Sequence, residues 1–144
     1  NEEAPEMIWK KADFLISSEK NQVDIDTLHA MLSRSRWAKG RSREAVEKTI
    51  ANSLCFSLIN ANEQIGFARV ITDAVTYAVI LDMIIREDFR GQGLGKWLVQ
   101  CIGEHPEVVP LRQVLWTSAA YDFYQKAGFE EMPKLKFMAR NWKM

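Results

Sequence analysis

At 144 residues, with 47% apolar and 26% charged side chains, the chain can bury one core and is too apolar to be disordered. Nineteen Lys and Arg balance nineteen Asp and Glu, so no global charge favours nucleic acid as a partner. No apolar run approaches a membrane span of ~18 residues and neither end carries a secretory pattern, so the expectation is a single domain over residues 1–144, in the cytoplasm, with no membrane partner.

The first structured stretch reads as a strand around Met7 to Ile16, interrupted by Lys10, Lys11 and Asp13. From Asp24 the apolar period changes: Ile25, Leu28, Met31 and Leu32 mark one face of a helix. His29 lies on it with no second ligand at metal spacing, so a surface or partly buried histidine is expected and no metal. Residues 33–43 hold five basic side chains beside Trp37 and no acid. Ser42 then caps a second helix with Glu44 in its first turn and Val46 and Ile50 on its inner side. Ser53–Ile59 and Gln64–Ile71 read as a hairpin, with Gly66 marking a bulge or a close contact.

Tyr77–Ile85 is nearly all apolar and broken only by Asp82, which suits a central strand covered on both faces. A turn leads into Arg90-Gly91-Gln92-Gly93-Leu94-Gly95-Lys96 and a helix whose inner stripe is Leu94, Trp97, Leu98, Cys101 and Ile102, limited by Pro106. Val114–Thr117 is a short strand, Ala120, Phe123, Tyr124 and Ala127 line a helix closed by Gly128, and Lys134–Arg140 offers a last strand. Cys55 and Cys101 sit in apolar stretches without C-x-x-C spacing and read as buried thiols. Strands and helices in alternation make the fold α/β, or α+β with a mixed sheet.

The chemistry-bearing element is the glycine loop. Three glycines spaced by two let the backbone turn tightly with its N–H groups aimed inward, and the free amides of the following helix add positive potential there. Such a loop binds a phosphate or pyrophosphate, with Arg90 and Lys96 able to add charge; the plainer reading is a turn that only closes a connection. Neither common nucleotide fingerprint is present: Lys96 is followed by Trp97 rather than Ser or Thr, and the glycines at 91, 93 and 95 do not make Gly-x-Gly-x-x-Gly.

Arg90-x-x-Gly93-x-Gly95 resembles the acyl-CoA pyrophosphate loop of the GNAT superfamily of N-acetyltransferases. Ala120-Tyr121-Asp122-Phe123-Tyr124-Gln125-Lys126-Ala127-Gly128-Phe129 is similar to the family's late helix, with Phe-Tyr followed by Gly-Phe. The resemblance is strongest over Tyr77–Phe129 and implies a mixed six- or seven-stranded sheet with about four helices, splayed between strands four and five, here Tyr77–Ile85 and Val114–Thr117. Acetyl-CoA as co-substrate, with no metal, is implied in that opening. By position, Gly91, Gln92, Gly93, Leu94, Gly95 and Lys96 surround the pyrophosphate, while the pantetheine arm pairs with the backbone at Ile85 and near Met83. A backbone amide at Met83 or Ile84 points at the thioester carbonyl and stabilises the oxyanion. Two positions depart from the family pattern: Glu87 replaces a common Pro, and Thr117, next to Ser118, replaces an Asn that contacts pantetheine.

The resemblance makes Tyr124 the general acid for the leaving thiolate, against the plainer reading of a core aromatic; at a pKa of about 10 a phenol holds its proton at neutral pH. Asp82 reads equally as an amine-orienting or proton-accepting carboxylate and as a structural partner for an arginine. Trp37 in the basic connection is a candidate acceptor contact, with Asp73 and Tyr77 as further ones, and five basic residues there suit an acceptor with a carboxylate or phosphate, or simply form a solvated turn. The implied function is transfer of acetyl from acetyl-CoA to a primary amine, small molecule or peptide, by direct attack in a ternary complex. The competing reading is a non-catalytic acyl-CoA-binding sensor or interaction module on the same fold. Nucleic-acid binding has only the short basic turn behind it, and a homodimer is implied by family habit alone.

Overall fold

The computed structural model describes residues 4–142. The N-terminal stretch is two strands rather than one: β1 (Ile8–Lys11) and β2 (Phe14–Ser17) form a tight hairpin in which Ala12 takes a left-handed conformation, φ 52°. Lys10 and Lys11 are the last residues of β1, and Ala12-Asp13 is the turn. A single 3₁₀ turn at Lys20–Gln22 leads into α1 (Ile25–Ser33), capped by the Asp24 carboxylate accepting from the Thr27 amide at 3.1 Å. α2 (Arg43–Ala51) starts as expected, with the Ser42 hydroxyl accepting from the Ala45 amide at 3.0 Å.

β3 (Leu54–Asn60), β4 (Glu63–Thr72) and β5 (Tyr77–Ile85) continue the antiparallel meander, and α3 (Leu94–Glu104) crosses over to β6 (Arg112–Val114), which runs parallel to β5. The six strands lie in one sheet in chain order. β6 covers Arg112–Val114 instead of Val114–Thr117, and α4 (Tyr121–Lys126) follows. Lys134–Arg140 forms no strand: it runs outside the sheet with Leu135, Phe137 and Met138 exposed, because its apolar residues find no ladder to join. No helix among the described residues is long and apolar enough to cross a membrane.

Each face of the sheet has its own core. On one, Leu94, Leu98, Cys101 and Ile102 of α3 pack on Phe56, Ala68, Val70, Ala78 and Ile80. On the other, Leu28, Met31 and Leu32 of α1 and Val46 and Ile50 of α2 cover Cys55, Phe67 and Ile84. Ala78 and Ile80 thus face α3, whereas Ile84, an even number of residues later, faces α1. Strict strand alternation forbids that unless a residue is inserted.

The insertion is a β-bulge in β5. Arg69 pairs with Leu81 but Phe67 pairs with Ile84, so Asp82 and Met83 together oppose Ala68. Asp82 supplies the bend with φ 53°, a left-handed conformation that Asp tolerates better than a branched residue. Beyond it, Met83 and Ile85 point toward the α3 face and Asp82 and Ile84 toward α1.

Candidate active site

Two features at the C-terminal end of β5 create an opening. β6 pairs only with Tyr77, Ala78 and Val79, so from Ile80 to Ile85 that edge of β5, roughly 20 Å long at strand rise, has no strand beside it. The glycine loop and α3 then leave on one face of the sheet while α1 ends on the other. A cavity of about 930 Å³ follows this free edge, bounded by Met83, Ile84 and Ile85, the glycine loop, the end of α1, and Ala120, Phe123 and Tyr124 of the last helix. Ligand clefts typically span roughly 300–1,000 Å³, so a large cofactor fits this one.

The loop has the geometry its glycines require. Gly91 and Gly93 have φ 82° and 83°, and Gly93 is the N-cap of α3. Among the described residues, none of the N–H groups of residues 91–96 has an acceptor in the protein; the first amide of α3 with one is Trp97, bonded to the Gly93 carbonyl at 3.1 Å. Six amide donors therefore cluster at a helix N-terminus with Arg90 and Lys96 beside them, a cradle suited to a diphosphate. Gly95 has a second role: a Cβ there would lie 3.2 Å from the Phe123 ring and 3.5 Å from the Met83 methyl, so α3 and α4 meet across it. Gln92 stands outside the cavity wall, its side chain donating to the Phe89 carbonyl at 3.2 Å. Arg90 donates from Nε to the Ile85 carbonyl at 2.8 Å, tying the loop to the end of β5.

Tyr124 reaches this edge from α4. Its hydroxyl lies 3.5 Å from the Met83 sulfur, its ring packs edge-on against Phe123 and Phe129, and burial pushes the phenol above its usual value. Gly128 (φ 100°) closes the helix in a Schellman motif, with the Phe129 amide donating to the Tyr124 carbonyl at 3.0 Å and the Gly128 amide to that of Gln125 at 3.1 Å. This explains the Tyr-x-x-x-Gly-Phe spacing: glycine ends the helix one turn after Tyr124 and turns Phe129 back against it.

Asp82 is bound as a structural partner of two arginines. Its Oδ2 accepts from Arg41 Nη1 and from Arg69 Nε, each at 2.6 Å, and its Oδ1 accepts from the Trp37 indole at 3.0 Å. Burial pushes this carboxyl up, but the hydrogen bonds from Arg41 and Arg69 outweigh that and hold it below the usual carboxylate range. Both oxygens accept hydrogen bonds within the protein, the arrangement of a structural partner. The partner missed in the sequence is Arg69, and its signal was there: a lone cation within the apolar run Ile65–Ile71, one strand from the lone acid.

Two sets of expected contacts fall outside the cleft. Asp73 closes the β4–β5 turn, accepting from the amides of Val75 and Thr76 and the Thr76 hydroxyl, which hold its carboxyl far below the usual range. Tyr77 accepts from Arg112 at 3.1 Å in a small separate depression. Tyr77 opens β5, about 26 Å along the strand from Ile85, and Asp73 lies in the turn before it, whereas the opening begins only where β6 stops. Thr117 accepts from the Ala120 amide at 2.9 Å as a local cap, and neither it nor Ser118 lines the cavity. The cysteines are buried, and loss of hydration pushes their thiols up to about 11 for Cys55 and about 12 for Cys101, so neither is an activated nucleophile. Among the described residues no group of three metal-ligating side chains occurs.

Residues 51–131 match the family described as "Acetyltransferase (GNAT) domain". The chain is 32% identical to the uncharacterized N-acetyltransferase ycf52 of Pyropia yezoensis, over 84% of this chain and 72% of that protein. A crystal structure from Xanthomonas campestris pv. campestris assigned to the GNAT family aligns with a TM-score of 0.82 and 34% identity, over 88% of this chain and 92% of that one. A GNAT acetyltransferase from Elizabethkingia anophelis, solved with acetyl-CoA bound, shares the fold at TM-score 0.65 and 19% identity, over 83% of this chain and 78% of that one. With a family match across more than half its length and relatives of this similarity, the chain belongs to the GNAT family of acetyltransferases.

Proposed function

We propose that this chain transfers the acetyl group of acetyl-CoA to a primary amine by direct attack in a ternary complex. The observation that carries the reading is the run of six acceptor-less amides at residues 91–96 beside the end of an unpaired strand edge. Gly91, Gly93, Leu94, Gly95 and Lys96 hold the diphosphate, with Gln92 contributing its amide only, and the backbone of Met83, Ile84 and Ile85 provides the edge for the pantetheine arm. Acetyl-CoA supplies an activated thioester, so no covalent enzyme intermediate is required.

At the bulge, where Asp82 and Met83 together oppose Ala68, the amide of Met83 or Ile84 donates to the carbonyl oxygen as negative charge develops there. As the N–C bond forms and the C–S bond breaks, Tyr124 gives its phenolic proton to the departing sulfur, and solvent carries the proton lost by the amine back to the phenolate. Its burial keeps the phenol protonated well above neutral pH, the state a donor needs. Asp82 acts by holding Trp37 and Arg41 against β5.

Calorimetric titration with acetyl-CoA tests the cradle. Gly93→Val places a β-branched residue at φ 83° where the amides converge, and affinity should fall by ~100-fold or more. Unchanged affinity would sink the assignment of the loop.

A further inference from the structure

We propose that the acceptor is an anionic primary amine, one carrying a phosphate or carboxylate, held by Arg34 and Arg36; this rests on the transferase reading above. The argument begins with charge on the cavity wall. Five cations line it, Arg34, Arg36, Arg86, Arg90 and Lys96, against one carboxylate, Glu87. Arg86 is already neutralised by Glu63 and by Asp88. Arg90 and Lys96 flank the glycine loop and face the diphosphate. That leaves Arg34 and Arg36, neither of whose side chains has a hydrogen bond or ion pair among the described residues.

Their position separates them from the nucleotide end. The loop and α3 pack on one face of the sheet and α1 on the other, so residues following α1 meet the cavity around the free edge of β5. An amine attacking at Met83 from the α1 side passes these two side chains.

The connection that displays them is fixed in place. Buried Ser35 donates to the Leu32 carbonyl at 2.7 Å and accepts from the Ala38 amide at 3.0 Å. The Trp37 indole and Arg41 are bound to buried Asp82, and the His29 ring contacts the Arg41 carbonyl at 3.0 Å. A solvated basic turn needs none of these anchors. Two guanidiniums carried by an anchored segment, next to the exposed Trp37 ring, offer forked pairs of N–H donors to the oxygens of a phosphate or carboxylate and repel a polyamine or lysine-rich peptide.

The test uses protein saturated with coenzyme A, which fills the diphosphate cradle, titrated calorimetrically with O-phosphoethanolamine, β-alanine or ethanolamine. At least one of the two anionic amines should bind ten-fold or more tightly than ethanolamine, and the preference should vanish in the Arg34→Gln/Arg36→Gln double variant with its melting temperature and coenzyme A affinity unchanged. Equal binding of all three amines overturns the proposal, as does a double variant that loses coenzyme A affinity instead, which would assign both arginines to the nucleotide. Thiol release from acetyl-CoA is followed separately: a retained anion preference with no thiol release from any amine sinks the transferase reading and leaves the anion site standing.

Discussion

Tyr124 is half-buried, 3.5 Å from the Met83 sulfur, and held by the Schellman turn at Gly128 rather than by any hydrogen bond to a charged group. In the proposed mechanism this phenol contributes a proton and little else, so Tyr124→Phe should lower kcat by ~100-fold while the Kd for acetyl-CoA stays within about two-fold. Single-turnover kinetics beside equilibrium binding separate the two effects, and equal turnover would leave Tyr124 a packing residue. Asp82 shows the reverse relation between residue and chemistry. An acid alone in an apolar strand reads equally as a base and as the partner of an arginine, and here its oxygens accept from Arg41, Arg69 and Trp37.

At the scale of elements, the β4–β5 pair matters most, because the bulge at Asp82–Met83 aims backbone at the cavity and swaps the faces of β5. Gly66 lies directly beneath its end: an added Cβ would meet Leu58 Cδ2 and Ile85 Cδ1 at 3.0 Å and the Ile84 carbonyl at 3.1 Å. Gly66→Ala should therefore cost about 1–3 kcal/mol in urea denaturation, and because Ile84 and Ile85 must shift, it should also weaken acetyl-CoA binding. A variant of wild-type stability would mean that the strands part there freely. Gly66 read from sequence as a bulge or a close contact, and it has both: the β3–β4 register shifts beside it, and its missing Cβ leaves room for Leu58 and Ile85. The early end of β6 was not legible: Leu115-Trp116-Thr117 has strand composition, and only the divergence of the sheet keeps it from pairing.

For the molecule as a whole, Asp82 is the tie between the two faces of the site: it joins the connection after α1 to the sheet through Arg41, Trp37 and Arg69. Asp82→Ala leaves Arg69, 8% exposed, without its countercharge, and should lower the unfolding free energy by about 3–5 kcal/mol in denaturant titration. The pH dependence has a definite sign. The folded-state pKa of Asp82 lies below its unfolded value of about 3.9, so the stabilisation is complete above that value and is lost as pH falls through the lower, folded one. Wild type and Asp82→Asn should accordingly differ in stability at neutral pH and converge in strong acid. A constant difference down to the acid limit would show that the charge of Asp82 is not what stabilises the fold.

Local chemistry by itself determined the two helix caps, the helical stripes, the alternation that makes a mixed sheet, and the two glycine motifs that carry the family resemblance, since each depends on residues within a turn or two of one another. Tertiary structure alone decided that Ala12-Asp13 is a hairpin turn, that Asp82 belongs to Arg41 and Arg69, and that Asp73 and Tyr77 lie far from the cleft. Those outcomes depend on strand register and on where β6 leaves β5. Register is set by summed packing on both faces of a sheet, and a one-residue bulge reverses every side chain beyond it, so no local pattern around Asp82 contains the answer.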